Sequence, residues 1–297
     1  MNIYYHHLYT YGIDDKSTFP RERYQLLKKV LDMKNYNSIN IMESHKANIK
    51  DIYRAHSNQY CDRFIRGELN EKEIRQIGLK PWSDKIIDRT LLIAGGSLMA
   101  LNDILNGARI AGNMAGGTHH AFYDRGSGFC IFNDIAICAL KAQKYHKFKK
   151  ILIIDLDVHQ GDGTAKILEN NKNAFTVSVH CEKNFPFKKA KSDLDINVKE
   201  DTGDSEYLSI LSNCLKNLNS IESDIIFFQA GVDGLKNDRY GKLSLSLSGL
   251  KKRNNLIFEF SKKRNNPILV FMGGGYSEPI FQSVKAFEDL FLQASVY

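Results

Sequence analysis

The chain has 297 residues, 43% of them hydrophobic, and carries a formal net charge of +7. Apolar content at that level with strong local periodicity excludes global disorder, and no apolar run approaches the length of a membrane helix. The positive charge sits in short scattered clusters such as Lys149-Lys150, Lys188-Lys189 and Lys251-Lys252-Arg253, mixed with Asn and acidic residues; with no RRM, zinc-finger or helix-turn-helix pattern beside them, they read as solvated surface rather than a specific nucleic-acid site.

The first sixty residues mix short apolar runs with helical stretches. Pro20 to Leu31 predicts a helix with Tyr24, Leu27, Val30 and Leu31 on one face. Ser38 to Ile41 predicts a short strand, and Lys50 to Tyr60 a helix carrying His56. Arg75 to Trp82 reads as a loop ended by Pro81, and Lys85 to Leu105 as a long apolar helix. Gly116-Gly117-Thr118-His119-His120 then breaks regular structure, before a helix over Phe132 to Tyr145.

Four strand-like runs follow, Ile151–Ile154, Phe175–Val179, Ile225–Phe228 and Ile268–Phe271. Helical stretches near Thr164–Asn170, Glu206–Leu218 and Leu250–Lys262 separate them. This alternation predicts a parallel sheet wrapped by helices, in one domain without repeats or linkers. The cysteines, Cys61, Cys130, Cys138, Cys181 and Cys214, are odd in number and form no C-x-x-C pair. Reduced thiols in a cytosol are the expectation. The amino terminus, Met1 to His7, is too polar for a signal peptide. A soluble cytoplasmic protein is therefore expected, with export by a pathway that cleaves no signal left open.

Each of the four strands delivers something polar at its carboxyl end, where open α/β sheets bind ligands. After Ile151–Ile154 come Asp155, Asp157 and His159 at spacing two, on one side while the backbone stays extended. Gly161-Asp162-Gly163 then allows a sharp turn. The second strand supplies Ser178 and His180, the third Asp233, and the fourth Gly273-Gly274-Gly275-Tyr276. Asp157, His159 and Asp233 form an Asp-His-Asp set that leaves positions open for water and substrate, the mark of a catalytic rather than a structural metal. His119 and His120 offer acid and base groups, with Asp155 and Asp162 as carboxylates able to orient them. Read singly, Asp233 is equally a turn residue and Tyr276 equally a core aromatic, and two adjacent histidines are more often a surface pair.

Taken in order, these motifs resemble those of the histone deacetylases of the arginase/deacetylase superfamily. The carriers are Gly116 to His120, Asp124-Arg125-Gly126-Ser127-Gly128-Phe129-Cys130, Asp155 to Gly163, Gln229-Ala230-Gly231-Val232-Asp233, Asp238 to Ser244 and Gly273 to Tyr276. Phe19-Pro20, Gly67-Glu68-Leu69, Trp82-Ser83 and Gln160 resemble the class IV-like branch with its many bacterial members. The resemblance implies a single domain over residues 1–297 with a central eight-stranded parallel sheet flanked by helices. It implies Zn²⁺, or Fe²⁺ in some members, on Asp157, His159 and Asp233. It pairs Asp155 with His119 and Asp162 with His120, and makes His120 the general base, His119 its electrostatic partner or acid, and Tyr276 the oxyanion-stabilising phenol. Phe129 and Phe185 become tunnel walls, the Gly128 carbonyl a substrate acceptor, and Tyr240 a rim residue where Leu or Met is common. A structural K⁺ would use Asp155, Ser178 and the carbonyls of Asp157, His159 and Val179.

The implied activity is metal-dependent removal of acetyl or longer fatty acyl groups from lysine side chains of proteins or peptides, with no membrane partner. Three alternatives stay open. A binuclear ureohydrolase needs a second carboxylate where Leu235 stands. An acylpolyamine amidohydrolase shares the chemistry on a small cationic substrate. A non-catalytic binding protein would keep only the fold.

Overall fold

The computed structural model describes residues 1–297. Its strands are β1 (Asn2–Tyr5), β2 (Asn40–Glu43), β3 (Ile110–Asn113), β4 (Ile151–Asp155), β5 (Ala174–Cys181), β6 (Leu194–Val198), β7 (Ile225–Gln229) and β8 (Ile268–Phe271). Its helices are α1 (Leu8–Tyr11), α2 (Glu22–Lys34), α3 (Ile49–Ile52), α4 (Asn58–Ile65), α5 (Glu71–Ile77), α6 (Lys85–Leu105), α7 (Asp134–Ala142), α8 (Asp162–Leu168), α9 (Asp204–Asn217), α10 (Leu247–Arg264) and α11 (Phe281–Ser295). The strands form one eight-stranded sheet in the order β2-β1-β3-β8-β7-β4-β5-β6. Every pairing is parallel.

Burial explains the arrangement. Every residue of β4, β7 and β8 is buried, as near-continuous Ile, Leu, Val and Phe runs require when helices cover both faces of a parallel sheet. Nearly all buried apolar side chains, those of 76 residues, form one contiguous cluster, so the central strands and the long helices share a core. No helix is long and apolar enough to cross a membrane.

Register then decides where function can sit. Asp155 at the end of β4 lies opposite Gln229 of β7 and Ser178 of β5. Gln229 in turn lies opposite Phe271, the last residue of β8. Three neighbouring strands thus end level, and the segments leaving them are forced together at one rim.

The structure differs from the sequence reading in four places. Strands β1, β3 and β6 were not expected. The first two are four residues long and owe their place to neighbours on either side, while β6 is a half-exposed edge. The helix expected over Lys50 to Tyr60 is two helices, α3 and α4. Ser57 caps α4 by accepting from the Tyr60 N–H, and a capping residue of this kind favours a fresh start over continuation. The loop expected from Arg75 begins only at Gly78. Its first residues close α5, which the reciprocal Asn70 and Glu73 cap stabilises. The chain ends in α11, also not expected, which buries Val284, Phe287, Leu290 and Phe291.

His56, at the break between α3 and α4, is wholly buried. Its Nε2 accepts from the Asn133 N–H at 2.8 Å, so its Nδ1 carries the proton and donates to the Phe122 carbonyl at 2.8 Å. Burial lowers its pKa to about 4. The unfolded chain takes up this proton near pH 6.5 and the folded one near 4, so the neutral ring's contribution is complete above about 6.5 and is lost as pH falls toward 4. Denaturant unfolding should find wild type more stable than His56→Gln at pH 7.5, with the gap about 2 kcal/mol smaller at pH 4.5. A gap independent of pH would refute the buried neutral ring.

Candidate metal centre and active site

Beyond the end of β4 the chain places Asp157 and His159, and beyond β7 it places Asp233. These three offer one donor atom each, all within 4.8 Å of one another. His159 Nδ1 lies 3.0 Å from Asp157 Oδ1 and 3.1 Å from Asp233 Oδ2. Their far oxygens are already committed. Asp157 Oδ2 accepts from Gln229 Nε2 at 2.9 Å and from the Gly274 N–H at 2.8 Å. Asp233 Oδ1 accepts from the Val158 N–H at 2.9 Å. The near oxygens are thereby aimed at the imidazole. Gly274 is required there, since a Cβ would stand 2.1 Å from Asp233 Oδ2.

The donor set fits a divalent transition ion. Two nitrogen or oxygen ligands on one tetrahedral zinc stand about 3.3–3.5 Å apart, close to the separations here. Two buried carboxylates beside one imidazole also leave uncompensated negative charge, which is costly in a protein interior. The proton affinities of the two carboxyls diverge accordingly. Burial and the Asp157 charge push Asp233 up to about 7. At Asp157 burial works the same way, but His119 and His159 outweigh it and hold the carboxyl well below its usual range. A mixed Asp, His and Asp set suits Zn²⁺ or Fe²⁺.

The tandem histidines follow β3 and are fixed by the start of α7. Asp134 accepts from the Thr118 N–H and hydroxyl at 2.9 and 2.6 Å. Asn133 caps α7 through the Ala136 N–H and donates to the Ala121 carbonyl at 3.2 Å. His119 Nδ1 donates to Asp155 Oδ2 at 2.7 Å, and His120 Nδ1 to Asp162 Oδ1 at 2.6 Å. Each carboxylate fixes the tautomer and leaves Nε2 available. The two rings are then driven apart in basicity. Burial favours the neutral form of both. At His119 the Asp155 and Asp157 carboxylates overcome it and raise the pKa to about 9. At His120 the charge on His119 adds to burial, and the pKa falls to about 4 despite Asp162.

These groups open on a cavity of about 640 Å³. Gly128, Phe129, Phe185, Tyr240 and Tyr276 line it. The Phe185 ring meets His120 edge-on at 4.8 Å between centroids, and Tyr240 meets Tyr276 at 5.1 Å. Gly128 has φ +52°, and a Cβ there would lie 2.7 Å from the His120 ring. Asp238 ties the rim to the phenol, accepting from the Tyr240 N–H at 2.9 Å and the Tyr276 N–H at 2.6 Å. Away from the cavity, Ser178 lies beside Asp155, its Oγ 2.9 Å from His180 Nδ1. The carbonyls of Asp157 and His159 accept no backbone hydrogen bond.

The structure thus brings the Asp157, His159 and Asp233 donors, the two His–Asp pairs, Tyr276 and the aromatic residues Phe129, Phe185 and Tyr240 together in one region. Several that matter were passed over. Gln229 and Asp238 belong to the quoted motifs; polarity at the end of an apolar strand marks Gln229, while Asp238 carries no such mark. Nothing in the local sequence marks Arg23 and Arg89, which also line the cavity.

The chain matches the family profile described as "Histone deacetylase domain" over residues 17–288. An uncharacterized protein of Picosynechococcus sp. is 38% identical over 286 residues, covering 95% of this chain and 94% of that protein. Histone deacetylase 1 of Homo sapiens is 30% identical over 264 residues, covering 82% of this chain. The chain spans 53% of the human protein's length. Among solved structures, an HDAC homolog from Aquifex aeolicus has a TM-score of 0.84 at 25% identity, covering 99% of this chain and 83% of that one.

The geometry makes a stoichiometric prediction. Metal-stripped protein titrated with Zn²⁺ should bind one ion per chain, and Asp233→Ala or Asp157→Ala should lose it while keeping a cooperative thermal transition. Two tightly held ions, or full retention in both variants, would overturn the mononuclear Asp-His-Asp assignment.

Proposed function

The chain belongs to the histone deacetylase family, and from that premise we propose that it is a metal-dependent amidohydrolase that removes acyl groups from lysine side chains of proteins or peptides. The observation that carries the reading is the convergence of the Asp157, His159 and Asp233 donors, the two His–Asp pairs and Tyr276 on one aromatic-walled cavity.

Bound at the three donors, Zn²⁺ or Fe²⁺ would polarise the acyl carbonyl and lower the pKa of water. The chain's own groups do the rest. Phe129 and Phe185 flank the lysine's methylene stem, and the Gly128 carbonyl accepts its amide N–H. His120, neutral and held by Asp162, presents Nε2 to take a proton from the attacking water. His119, held by Asp155, stands beside it as its electrostatic partner or acid. Tyr276 donates to the acyl oxygen as negative charge builds there. A protonated imidazole then hands its proton to the lysine nitrogen, and the C–N bond breaks.

Two supporting assignments follow from the same reading. A K⁺ ion would sit at Asp155, Ser178 and the carbonyls of Asp157, His159 and Val179, among them two carbonyls that lack a backbone donor. Gln160 fits the class IV-like branch. It clasps the Ala190 backbone through both amide atoms, at 3.0 and 2.8 Å, and so pins the loop that carries Phe185. Acetyl and longer acyl groups both fall within the proposed range. All five cysteines are free and buried, which accords with a cytoplasmic setting.

Burial raises the Tyr276 phenol well above its ordinary value, so it stays protonated and able to donate. Tyr276→Phe keeps the ring and its contacts with Phe19 and Tyr240. It should leave melting temperature and bound metal unchanged and lower kcat by about 10²–10³. A kcat near that of wild type on acyl-lysine peptides would remove Tyr276 from the chemistry.

A further inference from the structure

The cavity continues past Tyr276 to a floor carrying Arg23 of α2 and Arg89 of α6, both buried. Neither meets a carboxylate. Arg23 donates through Nη1 to the Gly275 carbonyl at 2.9 Å and through Nη2 to the Tyr24 hydroxyl at 2.9 Å, while its Nε has no partner. Arg89 donates through Nε to the Tyr9 carbonyl at 3.0 Å and through Nη2 to the same Tyr24 hydroxyl at 3.3 Å. The Tyr24 oxygen thus accepts twice, and its own proton remains to be given.

A purely structural arginine looks different in this fold. Arg253 is as deeply buried and also lacks a carboxylate. It spends every guanidinium nitrogen on the carbonyls of Leu156, Ala230 and Gly231 and the side chain of Asn254, and it does not line the cavity. Arg23 also lies near the rings of Phe19, Tyr24 and Tyr276, 4.8–5.1 Å from their centroids. Such contacts offset part of the desolvation of a guanidinium, but they do nothing for the repulsion between two buried cations. The pair, with its spare donors, is built for an anion.

Position says which anion. The Arg23 guanidinium lies 5.1 Å from the Tyr276 ring and bonds the carbonyl next to it in sequence. An acyl group whose carbonyl sits at Tyr276 reaches the two arginines with a chain of only a few carbons. We propose that this site hydrolyses lysine acylated by a short dicarboxylic acid, of succinyl or glutaryl length, and that Arg23, Arg89 and the Tyr24 hydroxyl hold the distal carboxylate. The inference rests on the deacylase reading above. Water adds to the amide carbon, the C–N bond breaks, the lysine nitrogen leaves with a proton, and a free dicarboxylate is released. Guanidinium forks suit a carboxylate because they can bind it through two parallel hydrogen bonds.

A carboxylate could also reach the floor as the departing product of any acyl substrate, and one experiment separates the two sources. The metal-loaded enzyme is given peptides whose lysine carries glutaryl or pentanoyl, chains of equal length differing in the terminal charge. Wild type should favour glutaryl in kcat/KM by at least about tenfold, the effect of one hydrogen bond to a charged group. Arg89→Met should lower that ratio about tenfold or more, and Arg89→Lys should retain part of it. Should Arg89→Met fail to fold, Tyr24→Phe carries the same ratio test. Pentanoyl turned over as well as glutaryl or better overturns the inference and leaves the deacylase reading intact. So does a ratio near one with kcat, but not kcat/KM, lowered in Arg89→Met, which would give the arginines to the departing product. No turnover of any acyl-lysine, acetyl included, overturns both.

Discussion

Two carboxylates, Asp157 and Asp233, are buried side by side at the rim of a parallel sheet, and the surrounding structure is arranged to tolerate them. A buried carboxylate without compensation is unstable in a medium that solvates charge poorly. Here each far oxygen receives hydrogen bonds from groups fixed by the sheet itself, namely the Val158 and Gly274 N–H groups and the Gln229 amide. Those donors exist in the right places because β4, β7 and β8 end level. A one-residue slip in any pairing would turn the following side chains to the other face. The near oxygens are left facing His159, with negative charge that a divalent cation would neutralise.

The same device recurs one layer out. Asp155 and Asp162 are buried carboxylates compensated by His119 and His120. The outcome differs between the two pairs because charges couple at this range. Once His119 is held positive by Asp155 and Asp157, a second positive ring beside it is disfavoured, so His120 stays neutral. Two adjacent residues of one type thereby acquire opposite proton affinities from their surroundings, as acid and base groups of one site require. Behind them Arg253 gathers the carbonyls of Ala230 and Gly231, just past the end of β7, so the segment leading to Asp233 is tied to α10.

Much of this was legible in the sequence, and the reason is local. A strand buried on both faces is an unbroken apolar run, and a polar residue at its end stands out sharply. That contrast located β4, β7 and β8 together with the Asp, His and Tyr residues that follow them, while β5, interrupted by Thr176 and Ser178, was marked by its β-branched and aromatic residues. It failed for β1 and β3, whose four residues include Asn2 and Gly112; these are strands because a partner on each side completes their hydrogen bonds, a fact of assembly rather than of composition. It failed also at His56, where a helical period runs on through the sequence while the Ser57 cap ends it in space. The functions of Gln229 and Asp238 depend on which oxygen meets which N–H, and no spacing rule encodes that.

The arginines at the cavity floor lay furthest from view for the same reason. On α2 and α6 each reads as an ordinary helical cation, expected at the surface, and only the packing of both helices against α1 turns them inward onto one phenol. The resulting cavity changes character along its length. Its walls carry Phe129, Phe185 and Tyr240, which would suit an uncharged methylene stem. Its middle carries the carboxylates and imidazoles, where net negative charge invites a metal ion. Its floor is cationic, with no anion of the chain to answer it. An acyl chain that is merely long and apolar would have to strip water from two guanidiniums and give nothing back, whereas one that ends in a carboxylate supplies the missing charge. Under the proposed reading, selectivity in such a site would be set less by how much room lies beyond the carbonyl than by which end group can satisfy the donors waiting there.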